Sequence, residues 1–110
     1  MSKKKASPAA EQQQYKSTVI PEEEYVPQER PKKTYRFMTL FEFTALVTAR
    51  ATQLLSTHTP QVDPAKYNYR VDDIARAEVL GRNIRLVIRR ELPNGETEDF
   101  HAWEMEFPPL

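Results

Sequence analysis

The chain has 110 residues, sixteen basic and sixteen acidic side chains, no cysteine and only two glycines. One small domain with a thin core is what that length supports, and without cysteine neither a disulfide framework nor a thiolate metal site can hold it together. A formal net charge of zero excludes the broad positive field of a non-specific nucleic-acid binder, and Gly81 and Gly95 alone cannot build a glycine-rich phosphate loop.

No apolar run approaches the ~20 residues that span a bilayer, and the opening "MSKKK" is not followed by the hydrophobic stretch of a signal peptide. A soluble, intracellular protein without membrane contact is the expectation.

Residues 1–33 mix Lys, Glu, Gln and Ser with four of the nine prolines and show neither a helical nor an alternating period, which predicts a disordered N-terminal tail. Its charge is +2 (seven basic, five acidic) against −2 (nine basic, eleven acidic) over 34–110, so neither half is a strongly charged arm. The apolar pairs Val19-Ile20 and Tyr25-Val26 suit an extended peptide that docks on a partner. Ser7-Pro8 and Thr59-Pro60 are formally phosphorylatable, but such dipeptides are too common to carry weight.

From Tyr35 the character changes. Thr39 is a good N-cap, Glu42 three residues later completes a capping box, and Met38 and Phe43 are spaced as a hydrophobic staple, which predicts a helix over 39–57 that stops before Pro60. At 100° per residue, Leu40, Phe43, Leu46, Val47, Ala51 and Leu54 share one arc, and Arg50 falls inside it. The opposite side holds Ala45, Thr48, Ala49 and Thr52 where a solvated helix normally carries Lys and Glu. Arg50 either snorkels to water or is held in an apolar interface, and the second case requires a partner: Asp72, Asp73, Glu78 or another protein.

The proline-bearing stretch 58–70 predicts a loop. A second helix is expected over 72–81, with Asp72 and Asp73 at its start and Gly81 at its end. "IRLVIRREL", the turn signal "PNG" and "ETEDFHAWEMEF" then predict a C-terminal β-hairpin. The fold class is therefore α+β, with a tail over 1–33 and a folded domain over 34–110.

Little here points to catalysis. His58 and His101 are the only histidines, no nucleophile has an evident base, and the acidic runs "PEEEY" and "ETED" fall in solvated segments. No catalytic residue, cofactor or metal site is expected. Arg82, Arg85, Arg89 and Arg90 crowd one strand and offer an alternative, a free-standing nucleic-acid-binding module built on an arginine-rich hairpin. Against it, Glu91, Glu96, Glu98 and Asp99 lie across the turn, where they can pair with those arginines.

"TLFEFTALVTARATQL" followed by "IARAEVLGRNIRLVIRRELPNGETEDF" resembles the small RNA polymerase subunit family: the sixth subunit shared by the eukaryotic nuclear polymerases, the archaeal K subunit and bacterial omega. Thr39, Phe41, Glu42, Thr44, Arg50, Ala51 and Gln53 stand at the positions of the first motif. Ile74, Ala75, Glu78, Ile84, Ile88, Arg89, Arg90, Leu92, Pro93 and Gly95 stand at those of the second, with Asn94 where Asp is usual and Phe100 where Trp is often found. The sequence departs from the pattern at Ala45 (usually Arg), Thr48 (usually Gly or Ser) and Arg85 (usually Pro), and its tail lacks the acidity of the eukaryotic subunit. It is the pattern of a divergent member, such as a large DNA virus would encode.

The resemblance implies an omega/K-like fold and a non-catalytic subunit of a DNA-directed RNA polymerase. Such a subunit clamps the C-terminal region of the largest subunit and promotes assembly of the enzyme, in a nucleus or in a virion or viral factory. It contacts DNA only indirectly. The partner-binding residues it implies are Thr39, Phe41, Glu42, Arg50, Gln53, Glu78, Arg89 and Arg90, and it leaves the tail as a docking site for transcription factors.

Overall fold

A computed structural model describes residues 15–56 and 58–110. In chain order they form β1 (Lys16–Pro21), a 3-10 turn at Glu22–Glu24, α1 (Leu40–Leu55), a 3-10 turn at Pro64–Tyr67, α2 (Val71–Leu80), β2 (Leu86–Glu91), β3 (Thr97–His101) and a last 3-10 turn at Ala102–Glu104. The class is α+β with two helices and a C-terminal hairpin, as expected, and the hairpin is widened by β1 into a three-stranded antiparallel sheet in the order β1-β2-β3.

The capping box at the start of α1 is closed in both directions. Glu42 N–H donates to Thr39 Oγ1 and Thr39 N–H donates to Glu42 Oε1, each at 3.0 Å. Met38 and Phe43, on either side of the cap, are both buried, as a staple requires. Helix α2 starts one residue earlier than expected, with Arg70 at its N-cap and no side-chain cap, so Asp72 and Asp73 act from the first turn through the helix dipole. Gly81 ends α2 at an ordinary right-handed φ of −80°, and the left-handed residue is Arg82 at φ 59°. Glycine is favoured at 81 by space, since a Cβ there would meet Asn83 Nδ2 at 3.1 Å.

Alternation in β2 sorts its side chains. Leu86, Ile88 and Arg90 face the helices, with Ile88 opposite both Val19 of β1 and Phe100 of β3. Leu86, Ile88 and Phe100 join Met38, Phe43, Leu46, Val79, Ile84 and Met105 in one core, with Val19 packed at its margin.

The N-terminal segment differs from the sequence expectation. Residues 1–14 lie outside those described, but Lys16–Pro21 pair with Leu86–Glu91 along six residues, so the folded part begins well before residue 34. After β1 the chain straps the sheet. Tyr25 stacks on His101 and Val26 N–H reaches Asp99 Oδ2 (2.9 Å) on the outer face. The Gln28 and Arg30 side chains donate to the Thr97 carbonyl at the edge of β3. Lys33 and Thr34 N–H then bond Glu98 on the helix side. The segment lacks a hydrophobic period because polar contacts to distant residues order it.

Deleting residues 1–33 strips one strand from β2, removes Val19 from the core margin and leaves Asp99 short of a donor. The truncated chain is expected to lose its cooperative thermal transition by circular dichroism. Melting within about 5 °C of the full chain, under roughly 1 kcal/mol for a domain this size, would make the strap dispensable.

Candidate functional site

The residues singled out by the sequence fall into three ionic staples and one open helix face. The first staple is centred on Arg90, which is fully buried. Its Nε and Nη2 hold Glu42 Oε2 and Oε1 at 2.8 Å each, its Nη1 donates to Thr34 Oγ1 (3.0 Å) and to the Tyr35 carbonyl, and Nη2 also reaches the Phe37 carbonyl (2.8 Å). All five guanidinium N–H donors are used. The guanidinium lies between the rings of Tyr15 and Phe100.

Glu42 accepts in addition from Ser17 Oγ (2.5 Å) and from Thr39 N–H. Burial pushes its carboxyl upward, but the hydrogen bonds and charge of Arg90, with Ser17 and Thr39, outweigh that and hold it below the ordinary value. Glu98 behaves alike. Burial raises it, and the Lys33 and Thr34 N–H groups with the Thr34 hydroxyl (2.7 Å) bring it down.

The second staple answers the question Arg50 poses. Among the three acids considered, Glu78 is its partner: Arg50 Nε donates to Glu78 Oε1 at 2.5 Å, with the Arg50 side chain 6% exposed and that of Glu78 fully buried. Nη1 donates to Gln53 Oε1 (3.0 Å), Nη2 to the Thr59 carbonyl (3.3 Å), and Glu78 Oε2 accepts from Gln61 N–H (2.8 Å). Helix α1, helix α2 and the loop between them are joined at this point.

The third staple lies on the outer face of the sheet, where Arg89 grips Asp99 across the hairpin with two bonds of 2.9 Å. Of the cross-hairpin pairings expected, this one forms. Arg90, opposite Glu98 in register, turns to Glu42 instead. Arg82 donates to the Trp103 and Met105 carbonyls, and Arg85 is exposed at the entry to β2. Arg82, Arg89 and Arg90 are therefore committed within the chain, and the hairpin does not present the four-arginine surface of the nucleic-acid reading.

Of the eight partner-binding candidates, Thr39, Glu42, Arg50, Gln53, Glu78, Arg89 and Arg90 all make bonds within the chain, and Phe41 points outward at 67% exposure. Alternation of Leu86, Ile88 and Arg90 was a signal that Arg90 faces the core. Nothing local marked Ser17 or Thr34 as its neighbours.

The fourth feature is the outward face of α1. Leu40, Phe41, Thr44, Thr48, Thr52 and Leu55 are exposed, and Leu55 reaches 73%. The only ionisable residues of this sixteen-residue helix, Glu42 and Arg50, are both buried. Thr52 turns its hydroxyl back onto the Thr48 carbonyl (3.0 Å), which leaves its methyl outward. A surface helix with no charge on its exposed side is a surface suited to being covered.

No protein-family model matches the chain, and no curated protein matches it. Among the described residues no group of three metal-ligating side chains converges, and no helix is long and apolar enough to cross a membrane.

Arg50→Ala strands Glu78 in the interior and is expected to cost about 3–5 kcal/mol in urea unfolding. Replacing both Arg50 and Glu78 by Met should cost far less; equal losses would show that packing, not charge, holds the helices together. Because Glu42 and Glu98 are held below the ordinary carboxylate value when folded, their contribution is fully present above that ordinary value and disappears as pH falls through the lowered ones. Acid unfolding should accordingly be shallower in Glu42→Gln, starting from a lower stability at neutral pH.

Proposed function

We propose that this chain is a non-catalytic subunit of a multisubunit DNA-directed RNA polymerase, which binds the C-terminal region of the largest subunit and stabilises the assembled enzyme. The observation that carries the reading is the uncharged outward face of α1, bounded by Phe41 and Leu55. It lies on the same helix as the first of the two motifs that resemble the small polymerase subunits.

On this reading the partner contacts are drawn from exposed side chains, because the charged candidates are bonded within the chain. Glu42, Arg50, Glu78 and Arg90 set the shape of the subunit by holding its helices, sheet and strap together. Contact with the largest subunit falls to Leu40, Phe41, Thr44, Thr48, Thr52 and Leu55. Small side chains at 44, 45, 48 and 52 admit a close approach by another element, and the apolar ends give it anchors. Covering that face stabilises the subunit by mass action, and no chemistry is required of this chain. The site of action is the compartment where the polymerase works, a nucleus or a viral factory.

The test is affinity purification of the tagged protein from its native cells or virions, washed in high salt and read by mass spectrometry. Large polymerase subunits should be recovered in stoichiometric amounts. Thr48→Glu should keep its melting temperature yet lose them, because it places a charge at the centre of the outward face, whereas Arg50→Glu should fail earlier, by unfolding. Recovery of the chain alone, or of salt-sensitive nucleic acid only, overturns the polymerase reading.

A further inference from the structure

The rings of this protein are repeatedly covered by its own cations. Arg76 lies 5.2 Å from the centre of Phe43, Arg82 lies 4.5 Å from Phe107, and Lys32 lies 5.0 Å from Phe100. Arg90 sits 4.9 Å from Tyr15 and 4.8 Å from Phe100. Indole is the best cation acceptor among aromatic side chains. Yet Trp103, the only tryptophan, has no Lys or Arg over it among the described residues and is 48% exposed.

Trp103 ends a three-ring stack. The Tyr25 and His101 centroids are 4.0 Å apart at 24°, and those of His101 and Trp103 are 5.0 Å apart at 20°. Stacking on one side holds the indole in place, so a ligand that lands on its open side loses little to side-chain ordering.

The surroundings are acidic. Glu22 Oε2 lies 3.4 Å from Trp103 Nε1 and 3.1 Å from His101 Nδ1; Glu23 and Glu24 follow on the same turn, both exposed, and Glu104 adjoins the indole in sequence. Among the described residues none of these four carboxylates is within ion-pair distance of a lysine or arginine. Arg89 feels the charge of Glu24 and donates through Nη2 to the Glu24 backbone carbonyl (3.0 Å), but its side-chain ion pair is with Asp99 and not with the Glu24 carboxylate.

The geometry points to a docking site on Trp103, Glu22, Glu23, Glu24 and Glu104 for an arginine-bearing basic segment of a partner protein. A guanidinium over the indole repeats the cation–ring contact that Arg76 and Arg82 make within the chain, with its N–H donors directed to the carboxylates at the rim. Arginine is favoured over lysine because its plane stacks on the ring and its fork matches a carboxylate. A nucleic-acid backbone carries the wrong sign for this face. The inference does not depend on the polymerase reading.

Heteronuclear NMR of the full chain during titration with acetyl-tetra-arginine amide tests it, with the tetra-lysine analogue alongside. The Trp103 indole N–H and the amides of 22–24 and 103–104 should shift saturably, and more tightly for arginine. Trp103→Ala, and separately Glu23→Gln with Glu24→Gln, should each weaken binding roughly fivefold while the melting temperature stays put. Shifts centred on other acids such as Asp72 and Asp73, or an unchanged affinity in Trp103→Ala, overturn the proposal. So does marked tightening when Lys3, Lys4 and Lys5 are replaced by Gln, since the chain's own lysines would then be the occupant.

Discussion

The pairing of Glu42 with Arg90 is the contact on which the rest of the structure depends. Glu42 caps α1, Arg90 belongs to the central strand, and between them they hold Ser17 of β1 and the chain at Thr34, Tyr35 and Phe37. Helix, sheet and strap thus meet at one carboxylate and one guanidinium. Such a pair recovers its desolvation cost only when all remaining donors and acceptors are met, and here the guanidinium has five partners for its five N–H groups. That completeness explains why the strap cannot be a detachable tail: it supplies acceptors the buried arginine cannot find elsewhere.

The same logic accounts for an inverted charge distribution. A chain of 110 residues with no disulfide has limited apolar area to bury. Arg50 with Glu78 and Arg90 with Glu42 join elements at points where apolar packing alone would not fix their relative placement. Buried ion pairs contribute little net stability, but they penalise every arrangement that separates them. The cost is that α1 spends both of its charges inward, so its outer side has none. Internal specification and an uncharged outer surface arise from one choice of residues.

This also shows what the sequence could and could not disclose. Both helices were legible, since capping box, staple and 3.6-residue period all agree at α1, and Val71, Ile74, Ala75 and Val79 mark one face of α2. Arg50 was legible only as a cation inside the apolar arc that either snorkels or needs a partner, and Glu78 was one of three acids offered beside another protein. The hairpin was legible from "PNG", but not that Arg90 would reach past Glu98 to the helix; that depends on how α1 crosses the sheet. Strand β1 was missed. Val19 and Ile20 read as a docking peptide, yet they pair with Ile88 and Val87, and the chain at 26–34 is held by Asp99, Glu98 and Thr97, and no local period reports such distant bonds.

Two surfaces remain once the staples are accounted for, and they lie on opposite sides of the sheet. The outward side of α1 is uncharged, and the Trp103 face is aromatic and acidic. The strap touches both sides, through Tyr25 on His101 and through Thr34 on Glu98 and Arg90. Coupling between the two would need a second arrangement of the strap that one ligand prefers. Any such arrangement withdraws donors from Glu98 and acceptors from Arg90 while both are buried, a penalty of several kcal/mol. The strap is therefore a brace, not a relay, and occupants of the two faces should bind additively.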